Sequence, residues 1–153
     1  MIPQRNNDQT ISHLKEPNSM SDKLDKFGRL IVEKLRDKQI DLFKGLIQGK
    51  WRSQESKELN AKLSKLNQEE KQVFADVLEK VLENSMHDFL FAIQESNDLD
   101  SGLKVFMDGE NVAELSDGLH GEIFTEEGWI ERFSRHKSVY ENNNTNWIKK
   151  LFS

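Results

Sequence analysis

No cysteine occurs in the 153 residues, which excludes a disulfide framework, a thiolate metal site and a cysteine nucleophile. A reducing cytoplasm fits that absence. The only two prolines, Pro3 and Pro17, lie in the first seventeen residues, so nothing beyond them forbids long helices. No run of eighteen apolar residues exists, and the first twenty lack the apolar core of a signal peptide. A cytoplasmic protein with no membrane contact is therefore expected. Positive charge is also short: 22 Lys and Arg face 27 Asp and Glu, a net charge of −5. That argues against nucleic acid as a partner, because gripping phosphate backbones takes a dense basic face. A basic protein partner suits the balance better.

What the chain does have is length and periodicity. A chain of this size buries roughly two thirds of its unfolded surface without staples. Its 35% apolar and 32% charged residues match a helical domain with long solvated faces. Residues 1–18 are polar, show no apolar period and read as a flexible N-terminal arm in which His13 is solvated. Residues 19–153 read as one domain.

The first long helix is expected from Ser19 or Ser21, with Leu24, Phe27, Ile31, Leu35, Leu42 and Leu46 as its buried stripe and Gly49 as its stop. A joint at Lys50-Trp51-Arg52 leads to a shorter, peripheral helix over 53–66. Asn67 with Glu70 three residues on predicts a capping box. The helix behind it should run to about Ser96 on a stripe of Phe74, Val77, Leu78, Val81, Leu82, Ser85, Phe89 and Ile93. Its last turns, with Met86, Leu90, Phe91 and Ala92, are apolar nearly all round and so expected to be covered on several sides.

From Val105 to Trp129 that helical period stops. The stretch VFMDGENVAELSDGLHGEIFTEEGW alternates apolar and polar residues around Asp108-Gly109 and Asp117-Gly118. Three antiparallel strands follow from this, at about 103–107, 111–115 and 119–124. A three-residue loop would set Phe106 against Val112, and a two-residue Asp-Gly turn would shift the register. Thr125 is placed to cap a helix from Glu126 onward, with Trp129, Ile130, Phe133 and Tyr140 inward. Trp147-Ile148-Lys149-Lys150-Leu151-Phe152 makes a last short amphipathic turn. The fold class expected is α+β: two long helices and a shorter one packed on a small three-stranded antiparallel meander, with C-terminal helices.

Asp108, Glu110, Glu114, Asp117, Glu122, Glu126 and Glu127 fall in this stretch with no Lys or Arg between them. On a platform this small most of them stand within about one Debye length of each other, and a basic partner relieves their repulsion. The first six are the expected partner-binding residues; the plainer reading is a solvated acidic surface.

His87, Asp88 and His120 form an alternative polar site, with Asp117 and Glu122 nearby in sequence. It serves as the centre of a rival reading, a small His/carboxylate enzyme or metal-binding domain. Adjacent positions on a helix diverge by about 100 degrees, so His87 and Asp88 do not readily grip one ion together. The i, i+4 histidines of a helical zinc site are absent too. Ser85 and Ser116 sit in no nucleophile elbow, and there is no phosphate-binding loop, dinucleotide motif or calcium loop. No catalytic residue, cofactor or metal is assigned.

Asp117-Gly118-Leu119-His120-Gly121-Glu122, followed by Gly128-Trp129-Ile130, is similar to a pattern in small bacterial proteins. Through it the C-terminal half resembles the immunity proteins encoded beside secreted bacterial toxins. That resemblance implies a small, soluble, acidic cytoplasmic protein that blocks a basic toxin by binding it, and it transfers no functional residue. The function expected is a non-enzymatic protein-binding domain with a basic partner; a structural homo-oligomer is the third reading.

Overall fold

Apolar spacing starts the first helix, and a change of winding then redirects it. The computed structural model describes residues 19–136. Helix α1 (Ser19–Ile31) runs into a π-helical turn, Val32–Asp37, and on into α2 (Lys38–Ile47) without a break. A π turn holds more residues than an α turn, so the face buried downstream is rotated relative to the face buried upstream. Phe27 and Ile31 point inward before it, Val32, Arg36 and Asp37 within it, and Ile40 after it. Leu35 and Leu42, placed in the core by an unbroken 3.6-residue period, are instead 40% and 43% exposed. Gly49, at φ +66, ends α2 in the left-handed conformation that glycine adopts without strain.

Ser53 caps α3 (Gln54–Leu63) by accepting from the amide of Ser56. Asn60 of α3 donates to the carbonyls of Leu46 and Ile47 at 2.7 and 3.0 Å, satisfying the exposed end of α2 and fixing α3 against it. The capping box at Asn67 and Glu70 is present and opens α4 (Gln68–Asp98), 31 residues long. The buried face of α4 is Ala75, Glu79, Glu83, Met86, Leu90, Ile93 and Ser96. Of the expected stripe only Ile93 is buried, while Phe74, Val77, Val81 and Phe89 are exposed. The last turns are not covered all round either: Met86 and Leu90 are buried, but Phe91 and Ala92 face outward.

The α+β expectation is corrected, because the described chain is predominantly helical and its sheet is one two-stranded ladder. Strands β1 (Phe106–Met107) and β2 (Glu110–Asn111) pair Phe106 with Asn111 and Met107 with Glu110. Asp108 and Gly109, at φ +48 and +85, form the two-residue hairpin turn between them. No three-stranded meander exists among the described residues. Short 3₁₀ turns, Val112–Glu114 and Leu119–Ile123, occupy the places expected for the second and third strands.

Side chains take the backbone groups that a ladder would have paired. Asn111 Oδ1 accepts from the Ala113 amide, Ser116 Oγ from Gly118, and Gln94 Oε1 of α4 from Leu119. Asn and Ser near turns compete in this way with extended pairing. Apolar residues at alternate positions still reach the core, since Val112, Leu119 and Ile123 are all buried.

A five-residue helix, α5 (Trp129–Phe133), closes the fold behind Gly128, three residues later than the expected start, and Thr125 makes no side-chain cap for it. Trp129 lies 1% exposed, edge-on to Phe27 with ring centroids 5.9 Å apart. Phe27, Met86, Leu90, Leu119, Ile123 and Trp129 belong to a single apolar cluster joining α1, α4, the 3₁₀ turns and α5. No helix among the described residues is long and apolar enough to cross a membrane. The expected arm 1–18 and the segment from Lys137 onward, with Tyr140 and Trp147–Phe152, lie outside the described residues.

Candidate binding face

The fold divides the six expected partner-binding carboxylates between two places. Asp108 and Glu110 stand at the hairpin, where Lys26 and Lys23 of α1 reach them at 2.8 and 3.3 Å. The hydrogen bond from Lys26 holds the Asp108 carboxyl below its usual range, and the same bond raises Lys26. These two of the six carboxylates are neutralised by the chain's own lysines.

The other four lie on the turns that follow. Glu114 accepts from the Asn111 side chain at 2.9 Å, and Glu122 accepts from Ser116 Oγ at 2.6 Å. That second bond folds 116–122 into a closed loop. Asp117 and Glu126 are exposed. Arg132, bound in a two-point ion pair by Asp25, feels the charges of Glu122 and Glu127 as lesser influences that raise it.

The same loop carries His120 onto α4. The His87 and His120 rings meet edge to face with centroids 5.2 Å apart. On one side Phe124 lies 5.9 Å from His87, and on the other Phe91 lies 5.3 Å from His120. Phe124, His87, His120 and Phe91 thus form a continuous row of four rings across the junction of α4 and the 3₁₀ loop. Its two ends are open to solvent, Phe124 at 51% and Phe91 at 46% exposure. Asp88 holds His87 through Nδ1 at 3.1 Å, and Nδ1 of His120 is buried without a hydrogen-bond partner.

Sequence reasoning therefore paired His87 with His120 but missed the phenylalanines at either end. Phe91 read as core because its helical turn is apolar all round. Phe124 read as the end of a strand. No spacing signal marks an exposed aromatic ring.

Ser85 donates to the Val81 carbonyl and Ser116 to Glu122, so neither hydroxyl is directed at an imidazole. Among the described residues no three His, Asp or Glu side chains converge in a way that could hold a metal ion. Aromatic faces attract guanidinium or ammonium groups, and a carboxylate such as Asp88 beside His87 adds to that attraction.

A second concentration of charge is buried. Arg36 donates to Glu83 through Nε and Nη2 at 3.3 and 3.2 Å and to Ser134 Oγ at 2.8 Å, with Glu79 at 3.8 Å. Asp37 accepts from Ser134 Oγ at 2.6 Å and from the Arg135 amide at 2.8 Å. Arg36 and Asp37 are wholly inaccessible, so the cluster offers nothing to a ligand; it bolts the π turn, α4 and the chain after α5 together.

Comparison of the chain with models of protein families, with curated proteins and with solved structures finds no match.

Proposed function

We propose that this chain is a non-enzymatic protein-binding domain whose docking face is the ring row from Phe124 to Phe91, rimmed by Asp88, Asp117, Glu122 and Glu126, and whose partner is a basic protein. The observation that carries this reading is the half-exposure of Phe91 and Phe124 at the two ends of one ring row whose His87 is paired with Asp88. Large apolar rings left in solvent next to one sign of charge are typical of interaction sites. An arginine or lysine laid over such rings gains about 0.5–2 kcal/mol. The carboxylate rim speeds encounter and selects for positive partners.

An immunity protein covering the cleft of a basic toxin is the biological setting this reading fits, through the sequence resemblance at 117–122 and 128–130. A cytoplasmic site of action belongs to the same reading.

The test is a calorimetric titration of the full chain with a synthetic peptide of alternating arginine and leucine, alongside one of alternating glutamate and leucine. The arginine peptide is expected to bind, and Asp117→Lys/Glu126→Lys is expected to weaken it about tenfold, the equivalent of 1.4 kcal/mol. Equal binding of both peptides, or indifference to the double reversal, overturns the reading.

A further inference from the structure

Away from the ring row, one lysine stands directly against an imidazole. Nζ of Lys44, in the last turn of α2, lies 2.7 Å from Nδ1 of His136, and Nε2 of the same ring lies 2.9 Å from Oδ1 of Asp41. Asp41 and Lys44 are three residues apart on α2, so both side chains leave the face that receives His136.

The backbone around the ring is held as well. The His136 amide donates to Ser134 Oγ at 2.9 Å, and the guanidinium of buried Arg36 donates to the His136 carbonyl at 2.5 Å. Arg135, just before it, donates its amide to buried Asp37 at 2.8 Å. The imidazole is thus anchored at its main chain and at Nε2, with Nδ1 turned to Lys44.

These partners fix where the protons are. A carboxylate at Nε2 requires a hydrogen there, which in the neutral ring leaves Nδ1 as an acceptor aimed at Nζ. A charged ring would point an N–H at Nζ, and an ammonium has no lone pair to receive it. Lysine and imidazole therefore cannot both be charged in this arrangement. Burial, the largest influence, holds the Lys44 ammonium below its ordinary value and the charge of Arg135 adds to this, while Asp41, Glu79 and Asp37 work the other way. Burial and the charge of Lys44 hold His136 low in turn, which keeps the ring an acceptor at neutral pH.

A nucleophile, a base within hydrogen-bond reach and a third group orienting that base are the parts of an activated side chain. Here they are Lys44, His136 and Asp41. Lys44 is half-buried rather than sealed, which leaves it open to a small molecule.

We propose that Lys44, with His136 and Asp41 behind it, is a reactive amine that captures a small aldehyde as a reversible imine. The neutral nitrogen bonds to the carbonyl carbon, and one of its protons passes through Nδ1 of His136 to the carbonyl oxygen. That oxygen then leaves as water with the second proton from nitrogen, and the C=N bond forms. Nothing is oxidised or reduced. Capture of this kind is binding and not turnover, and it lies on α2, apart from the ring row, so either reading can fail alone.

The test treats the full-length chain with propionaldehyde and sodium cyanoborohydride at about pH 7, where the hydride reduces any imine to a stable secondary amine. Peptide mass spectrometry then reads the rate at each lysine. Lys44 is expected to be labelled several-fold faster than the exposed Lys38 and Lys57, and an equal or slower rate overturns the proposal. In folded His136→Gln the rate at Lys44 is expected to fall to that of the exposed lysines; an unchanged rate contradicts a base at His136. The parent chain supplies a check without substitution, because labelling of Lys44 is expected to level off at a lower pH than labelling of Lys57. Coincident pH profiles contradict an activated amine.

Discussion

Nη2 of Arg36 lies 3.2 Å from Oε1 of Glu83, and both side chains are sealed from solvent. This contact decides which way α4 faces. To bring Glu79 and Glu83 to the guanidinium, the helix turns Val73, Val77 and Val81 outward. Replacing Arg36 takes the guanidinium away from the buried carboxylate of Glu83 and removes the nearby positive charge from Glu79 and from Asp37, which keeps its bonds from Ser134 and Arg135. Arg36→Met is expected to cost about 3–5 kcal/mol in urea unfolding, the range for breaking a buried ion pair from one side. Glu83→Gln, which keeps the shape and a polar oxygen, is expected to cost less than half as much.

Gly28 on α1 permits the closest approach in the core. A Cβ there would overlap the ring of Trp129, which is held by Phe27 and the surrounding cluster and has no room to retreat. Gly28→Ala is expected to destabilise by about 1–3 kcal/mol, as overpacking does. Gly45→Ala meets a ring too, that of Trp51, but Trp51 is 44% exposed and can swing away by giving up its indole bond to the Leu42 carbonyl. The helix propensity gained by alanine, about 0.5–1 kcal/mol, offsets the lost contact, so this variant is expected to stay within about 1 kcal/mol of the parent. Thermal unfolding of the pair distinguishes a rigid neighbour from a yielding one.

Stability is expected to fall on mild acidification. Burial, and after it the charge of Lys44, holds the His136 imidazole below its ordinary value, while the hydrogen bond to Asp41 works the other way. A lowered folded value means that the unfolded chain takes up the proton first. The contribution is therefore complete above about pH 6.5 and is lost as pH falls through the folded value. For Asp41 burial is the largest influence and raises it, but the bonds from His136 and Arg135 together bring it below the usual carboxylate range. Its loss follows in the same direction at lower pH. His136→Gln is expected to flatten the difference between urea midpoints measured at about pH 7.5 and about pH 5.5. An unchanged difference would show that other groups carry it.

Local signals in the sequence marked helix boundaries well, often assigned the wrong faces, and failed for the three-stranded meander. Asn67 with Glu70 marked the start of α4, and Gly49 marked the end of α2, because caps and left-handed glycines are decided by a few neighbouring atoms. The π turn at Val32–Asp37 has no such signature, and it moved Leu35 and Leu42 out of the stripe that a regular period assigns them. In α4 the valine stripe looked like core until the needs of Arg36 overrode it. The 105–124 stretch alternates as strands do, yet Asn111, Ser116 and Gln94 supply hydrogen bonds that close 3₁₀ turns instead. As for the site, His87 and His120 were legible as polar residues worth watching. The rings that complete the row, and the lysines that neutralise Asp108 and Glu110, come from elements distant in sequence.

Residue-level mapping of a basic ligand tests the central claim most directly. In ¹⁵N-labelled full-length protein titrated with the arginine–leucine peptide, the largest shifts are expected at His87, Phe91, His120 and Phe124. Affinity should fall as salt rises from about 0.05 to about 0.5 M. Phe91→Ser/Phe124→Ser is expected to abolish the shifts while the rest of the spectrum is retained. Shifts centred on α1 or α3, or binding unaffected by loss of the two phenylalanines, would contradict a docking face built on this ring row.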